Sequence, residues 1–271
     1  MKSLVGFIRE SFNNLNNGDE FYTRLEDIEK ELSHYSFKNK IVYCNCDNPE
    51  WSNFWKYFKS NFKKLGLKKL LSTYYDDNPK LTVYDGESEN KTNIKSGRFQ
   101  DNLNIIKDYD VDIVVTNPPY SDGMPVELAK SLVNVSVDFI FVGPLHFLIS
   151  KEGFKLYKDN KINTGYTNIN YFTTPSGKQK SAPSAWFTNL DVKHDFIKGI
   201  DRDISKYEKY DNYDAIDCNP SSIIPKNYDG KIGVSYRFLT KMNKDQFDVI
   251  EYLKPKINGK AVMTKVIIRY K

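Results

Sequence analysis

The sequence predicts an α/β fold built on a parallel sheet. Three observations carry that reading. Apolar runs of strand length alternate with amphipathic stretches of helical spacing through the first half of the chain. Val111–Thr116 and Val137–Val142, both strongly apolar, flank the helical stretch Met124–Val135, which makes a strand–helix–strand unit and hence a parallel pair. The first of these strands stops at Asn117-Pro118-Pro119-Tyr120. Two prolines lack N–H donors and fix φ, so they cannot continue a central strand.

The elements follow in order. Lys40–Asn45 reads as the first strand, an apolar run leading into polar residues. Trp51–Leu65 reads as one helix, with Phe54, Trp55, Phe58, Phe62 and Leu65 on a stripe and Gly66 as its stop. Lys69–Tyr75 is a second strand and Leu81–Tyr84 a third. Glu87–Lys95 is polar and reads as a loop, and Phe99–Lys107 as a short helix. After about Ser150 the rhythm changes. Lys151–Asn163 is basic and amphipathic, Thr173–Pro183 is a loop of Pro, Gly, Ser and Lys, and Ser184–Asn189 and Val262–Arg269 are strands. There is no internal repeat and no sharp linker. Residues 1–271 therefore read as one domain with late insertions, the segment 151–183 foremost among them.

Composition bounds the function classes. The 271 residues are 39% hydrophobic and 14% aromatic, which supports a packed core rather than a disordered chain. No apolar run approaches the roughly 20 residues of a membrane span, and the N-terminus carries no signal-peptide pattern. A cytoplasmic protein without membrane partners is expected. Cys44 and Cys46 share a strand face, but no second Cys/His cluster completes a metal site, so no metal is expected. The formal net charge of +5 permits a polyanionic partner. Only six of the 40 basic residues are Arg, so the charge is mostly Lys, which neutralises phosphate as a point charge. An AT-rich source genome accounts for the same abundance of Lys, Asn, Ile and Tyr equally well.

The Asn-Pro-Pro-Tyr turn is the most informative feature. It falls at the carboxyl edge of the sheet, where open α/β folds bind ligands. It fixes two acceptors, the Asn117 side-chain oxygen and the Pro118 carbonyl, with the flat face of Tyr120 beside them. Pro119 holds the turn rigid. A planar exocyclic amine is a poor nucleophile because its lone pair is delocalised. Two acceptors, one on each N–H, draw the nitrogen towards tetrahedral geometry, so that positioning and electrostatics do most of the work. An amine inside a duplex reaches such a turn only if its base flips out, with Tyr120 to stack on it. The bland reading is a Pro-rich loop that ends a strand.

Thr116-Asn117-Pro118-Pro119-Tyr120-Ser121 resembles motif IV of the amino-methyltransferases. Further segments are similar to the EcoRI-type adenine-specific DNA methyltransferases. They are Asp19–Thr23 with Leu25–Glu29, Val42–Asp47 with Pro49 and Ser52–Phe54, Leu65–Lys69, Trp186–Asp191, Tyr228–Gly230, Gly233-Val234, Phe238-Leu239 and Ile257–Gly259. The resemblance covers most of the chain, with gaps near 80–95 and 150–180. It implies a Rossmann-like class I methyltransferase sheet and S-adenosyl-L-methionine as cofactor. It implies methyl transfer to the N6 amine of adenine in double-stranded DNA by base flipping, and it admits a cognate restriction endonuclease as a partner. Carried over by position, Phe21, Tyr22 and Thr23 flank the cofactor, and Asp47 to Ser52 take its methionine end. Asp76 is the nearest carboxylate for the ribose, with a solvated turn residue as the bland alternative, and Phe99 stacks on the adenine ring. The insertion 151–183 becomes the target-recognition segment, with Lys151, Lys155, Lys178 and Lys180 on phosphates.

Two departures stand out. The family carries Gly-Asp-Phe where this chain has Gly97-Arg98-Phe99. Arg cannot accept a hydrogen bond, so either Asp101 substitutes or cofactor affinity is weakened. The region after Ser150 is also shorter than in the family. Two rivals share the turn: a glutamine or RNA amine methyltransferase, and a non-catalytic DNA-binding relative, which Arg98 keeps in play.

Overall fold

The computed structural model describes residues 22–120, 123–174 and 177–271. These fold as two compact units, where the sequence reads as one domain. The first contains the described residues up to Pro144 together with Thr167–Leu190, and the second contains Leu145–Tyr166 and Asp191–Lys271. The segment 151–183 therefore divides between the two units.

The first unit is built on strands β1 (Ile41–Cys44), β2 (Lys69–Ser72), β3 (Lys80–Tyr84), β4 (Glu89–Asn93), β5 (Ile113–Thr116), β6 (Asp138–Pro144), β8 (Gln179–Thr188) and, from Thr167 on, β7 (Asn163–Thr173). The sheet order is β4-β3-β2-β1-β5-β6-β8-β7. β2, β1, β5 and β6 run parallel, and β8 pairs antiparallel to β6 with Ala185 opposite Gly143. β3 and β4 add an antiparallel hairpin beside β2. β1 and β5 are buried at every residue, which is why they read as unbroken apolar runs rather than alternating ones.

Helices α1 (Leu25–Leu32), α2 (Asn53–Ser60), α3 (Phe62–Leu65), α4 (Asn104–Asp108) and α5 (Met124–Asn134) connect these strands. Ile28 and Leu32 of α1 and Phe54, Trp55 and Phe58 of α2 pack with Val42, Cys44 and Val115 of the sheet. The intervening strand residues Tyr43 and Val114 are equally buried, as are Leu128, Ala129 and Leu132 of α5. The expected single helix over 51–65 is two. Asn61 breaks it, with its side chain donating to the Tyr57 carbonyl at 2.9 Å. Gly66 does end the second piece, in the left-handed region at φ 66°. The expected loops at 87–95 and 173–183 contain strand residues. β4 is exposed throughout, so its pairing leaves no apolar signature, and the polar 173–183 stretch is the tip of the β7–β8 hairpin.

The second unit carries α6 (Lys151–Lys158) and a five-stranded sheet of order β12-β15-β11-β10-β9. Its strands are β9 (Lys209–Tyr210), β10 (Tyr213–Asp217), β11 (Ile232–Ser235), β12 (Phe247–Leu253) and β15 (Lys265–Tyr270), with a separate hairpin of β13 (Lys256–Ile257) and β14 (Lys260–Ala261). Phe154 of α6 packs edge-on to Tyr252 of β12, with ring centroids 4.8 Å apart. A buried ion pair, Lys265 Nζ to Asp217 Oδ1 at 2.7 Å, joins β15 to β10, and the Tyr210 hydroxyl donates to the same oxygen. Among the described residues no helix is long and apolar enough to cross a membrane, and no cluster of His, Cys, Asp and Glu suits a metal ion.

Candidate active site

The carboxyl ends of β1, β2 and β5 meet at Asp47. Its backbone N–H donates to the Thr73 carbonyl at 3.1 Å, and the Ser72 hydroxyl donates to its carbonyl oxygen, so the turn after β1 is pinned to the end of β2. Its side chain accepts from three donors. Ser52 Oγ donates to Oδ1 at 2.7 Å, Thr116 Oγ1 donates to Oδ2 at 2.8 Å, and the backbone N–H of Asn117 adds a third bond. Ser52 also caps α2, accepting from the N–H groups of Phe54 and Trp55, which satisfies orphan donors of the first turn. Burial pushes the Asp47 carboxyl up to about 6, while the bonds from Ser52, Thr116 and Asn117 pull the other way. The neighbouring Cys44 and Cys46 thiols are pushed up by burial and by the Asp47 charge, and they stay protonated.

Asn117 follows directly on β5. Its side-chain oxygen is enclosed, Pro118 is buried and Pro119 is exposed. Tyr120 turns back onto the sheet. Its hydroxyl donates to Ser184 Oγ on β8 at 3.1 Å, and its ring stands edge-on to Phe172 of β7 at 6.1 Å and 89°. Burial raises the phenol well above its usual range. The tyrosine is thus oriented by two strands that the turn itself does not contain.

The other predicted residues divide. Phe21 lies outside the described residues, as does Ser121 of the turn. Tyr22 forms a two-bond bridge with Thr173 at 2.8 and 3.0 Å, and the Thr23 carbonyl accepts from Asn53 Nδ2 at 2.8 Å. These bonds tie the segment to the end of β7 and to the start of α2. Thr23, Asp47 and Ser52 are therefore brought together. Asp76 is exposed, and its Oδ1 accepts from the Asn78 N–H at 3.2 Å, which is a solvated turn. Phe99 is buried at the start of a 3-10 turn, and both Arg98 and Asp101 are exposed. A Cβ at Gly97 would lie 2.3 Å from the Tyr74 carbonyl oxygen, so glycine is required for the strand-end loops to touch there.

The four lysines are all exposed. Lys178 and Lys180 flank the tip of the β7–β8 hairpin in the first unit. Lys151 and Lys155 lie on α6 in the second, where Lys155 is paired with Asp159 one turn on. Lys158 donates to the Ile250 carbonyl at 2.6 Å.

Sequence reading did not single out Thr116 or Ser184. Thr116 was available as the polar last residue of an apolar strand. Ser184 is fully buried between Pro183 and Ala185, and nothing in its local pattern points across 64 residues to Tyr120.

A parallel sheet whose carboxyl edge holds this turn against a capped acidic loop belongs to a methyltransferase. The family model described as adenine-specific methyltransferase EcoRI matches residues 11–269. The chain belongs to that family and is a DNA methyltransferase. It is 35% identical to the type II methyltransferase M.EcoRI of Escherichia coli, over 93% of each chain. It is 32% identical to M.MgeORF184P of Mycoplasma genitalium, over 87% of this chain and 83% of that one. M.MpnI of Mycoplasma pneumoniae is also 32% identical, over 87% and 82%. No solved structure matches.

Proposed function

We propose that this enzyme transfers a methyl group from S-adenosyl-L-methionine to the N6 amine of an adenine flipped out of duplex DNA. The observation that carries the reading is the placement of Asn117 and Pro118 directly after β5, with Asn117 bonded through its backbone to the Asp47 loop. The order β2-β1-β5-β6-β8-β7, with β8 antiparallel to β6 at the end of the four parallel strands, supports a Rossmann-like class I methyltransferase sheet.

The residues present fit the cofactor. Thr23 Oγ1 and Asn45 Oδ1 are enclosed acceptors that make no hydrogen bond among the described residues. Both lie at the Asp47–Asn53 end of the sheet, where acceptors suit the ammonium and hydroxyl groups of S-adenosylmethionine. When bound, the cofactor supplies an electrophilic methyl on a sulfonium. Asn117 Oδ1 and the Pro118 carbonyl accept from the two N–H bonds of the adenine amine and localise its lone pair for attack. Formation of the nitrogen–carbon bond would be matched by cleavage of the sulfonium's sulfur–methyl bond, leaving a neutral thioether, and the same two oxygens would stabilise the cationic amine until its proton passes to solvent. Tyr120, held by Ser184 and Phe172, offers its ring to the extruded base. Lys178 and Lys180 on the hairpin tip, and Lys151 on α6, are assigned to phosphates, and Lys155 only if its pairing with Asp159 yields. The segment 151–183 is assigned to target recognition, and a cognate endonuclease would cut the same site unmodified. The test is enzymatic digestion of DNA treated with the protein and cofactor, with the modified nucleoside read by mass spectrometry. N6-methyl-2′-deoxyadenosine is expected.

A further inference from the structure

Asp47 does more than line a cofactor loop. Its carboxylate is the point at which three separately placed elements converge. Ser52 heads α2, Thr116 ends β5, and the Asn117 N–H opens the catalytic turn. The Thr116 bond spans 69 residues of sequence. The backbone of Asp47 is itself clamped to β2 through Ser72 and Thr73, so the carboxylate cannot follow the turn if the turn moves.

We propose that Asp47 is a positioning residue for methyl transfer. As the anion it draws the Thr116 hydroxyl and the Asn117 N–H to one place, and so fixes the catalytic turn against the cofactor loop. The inference rests on the methyl-transfer reading of this site and deepens it, because it assigns the site a protonation state in which it works.

The chemistry follows from hydrogen-bond capacity. An ionised carboxylate only accepts, and here it accepts from three donors. A protonated one is neutral and keeps less acceptor capacity, so the three bonds lose their charge assistance and weaken. The damage falls on Ser52, which holds α2, or on Thr116 and Asn117, which hold the turn. The titratable groups facing Asp47 are Cys44 and Cys46 on its own segment, and burial keeps both neutral. β2 brings Ser72 and Thr73, α2 brings Ser52 and β5 brings Thr116, and none of these carries a charge. The carboxyl lies near 6, so the switch between the two states falls just below neutral pH.

Two measurements test this. In the first, single-turnover transfer is followed from pH 5 to pH 8 in the wild type, Thr116→Val and Thr116→Ser, with cofactor Kd measured alongside. Thr116→Val should slow transfer about tenfold with Kd changed less than twofold, and Thr116→Ser should restore it. The wild-type rate should fall below about pH 6. In the second, asparagine is 15N-labelled and the Asn117 amide is followed against pH, which requires no turnover. Its resonance should titrate near pH 6 and lie flat in Asp47→Asn. A Thr116→Val enzyme as fast as the wild type, or an Asn117 amide blind to that titration, overturns the proposal. A wild type that binds cofactor yet transfers no methyl to DNA counts against the proposed function, and the amide titration still decides the role of Asp47.

Discussion

The Tyr120 hydroxyl donates to Ser184 Oγ across 3.1 Å, linking the Asn-Pro-Pro-Tyr turn to the reversed strand β8. The aromatic face beside the turn is therefore anchored at its polar end as well as by Phe172. Two variants separate the two supports. Tyr120→Ala should weaken stabilisation of the flipped adenine by about 1–3 kcal/mol. Tyr120→Phe keeps the face and loses one hydrogen bond, which costs about 0.5–1.5 kcal/mol. Fluorescence of 2-aminopurine at the target position reports flipping, and the Ala variant should show the larger loss. Equal signals in all three proteins contradict the stacking role.

Stability should report the burial of Asp47. Its carboxyl is raised from 3.8 to about 6 in the folded state, so the folded protein binds the extra proton between those values. The contribution is fully present below about pH 4 and is lost as pH rises through 6, on the order of 3 kcal/mol in all. Asp47→Asn removes it. The difference in Tm between wild type and variant should move in the wild type's favour on going from pH 7 to pH 4.5. Parallel melting profiles across that window contradict the burial account.

How much of this was legible in the sequence depends on where each residue's partners lie. β1, β5 and β6 were legible because a strand buried on both faces is apolar throughout. The turn was legible because two prolines must end a strand. β4 was not, since its Glu89–Asn93 residues are exposed and held by backbone pairing with β3. Asp47 was legible as a loop carboxylate through family resemblance, but its bond to Thr116 depends on strand order, which periodicity does not encode. The second unit left little rhythm in the sequence because its strands pair across long stretches of chain, as β11 does with β15.

Salt dependence tests the hairpin. Lys178 and Lys180 are exposed beside its tip. Removing one Lys–phosphate interaction should reduce the slope of log K against log salt by about 0.9. Lys178→Ala/Lys180→Ala should therefore show a shallower slope than the wild type. Lys155→Ala should change it less, because Asp159 already neutralises Lys155. A double variant with the wild-type slope reduces the hairpin charge to a solvated surface.

The resemblance places an acidic acceptor at the position of Arg98, which is exposed next to the tightly packed Gly97. Restoring the acceptor with Arg98→Asp should tighten cofactor binding by about 0.5–1.5 kcal/mol, a factor of roughly 2 to 12. Calorimetry on both proteins measures it. Looser binding by the Asp variant shows that Arg98 itself serves the cofactor.

Asn117 is proposed to activate an adenine amine. The most direct test is methyl transfer to duplex DNA by the wild type and Asn117→Ala, with the modified deoxynucleoside identified by mass spectrometry and cofactor Kd measured for both. The wild type should yield N6-methyl-2′-deoxyadenosine. Asn117→Ala should lose about 2.7–4 kcal/mol of transition-state stabilisation, a factor of roughly 100 to 1,000 in single-turnover rate, with little change in Kd. A near-normal rate for Asn117→Ala, or a product methylated on cytosine rather than adenine, would contradict that role.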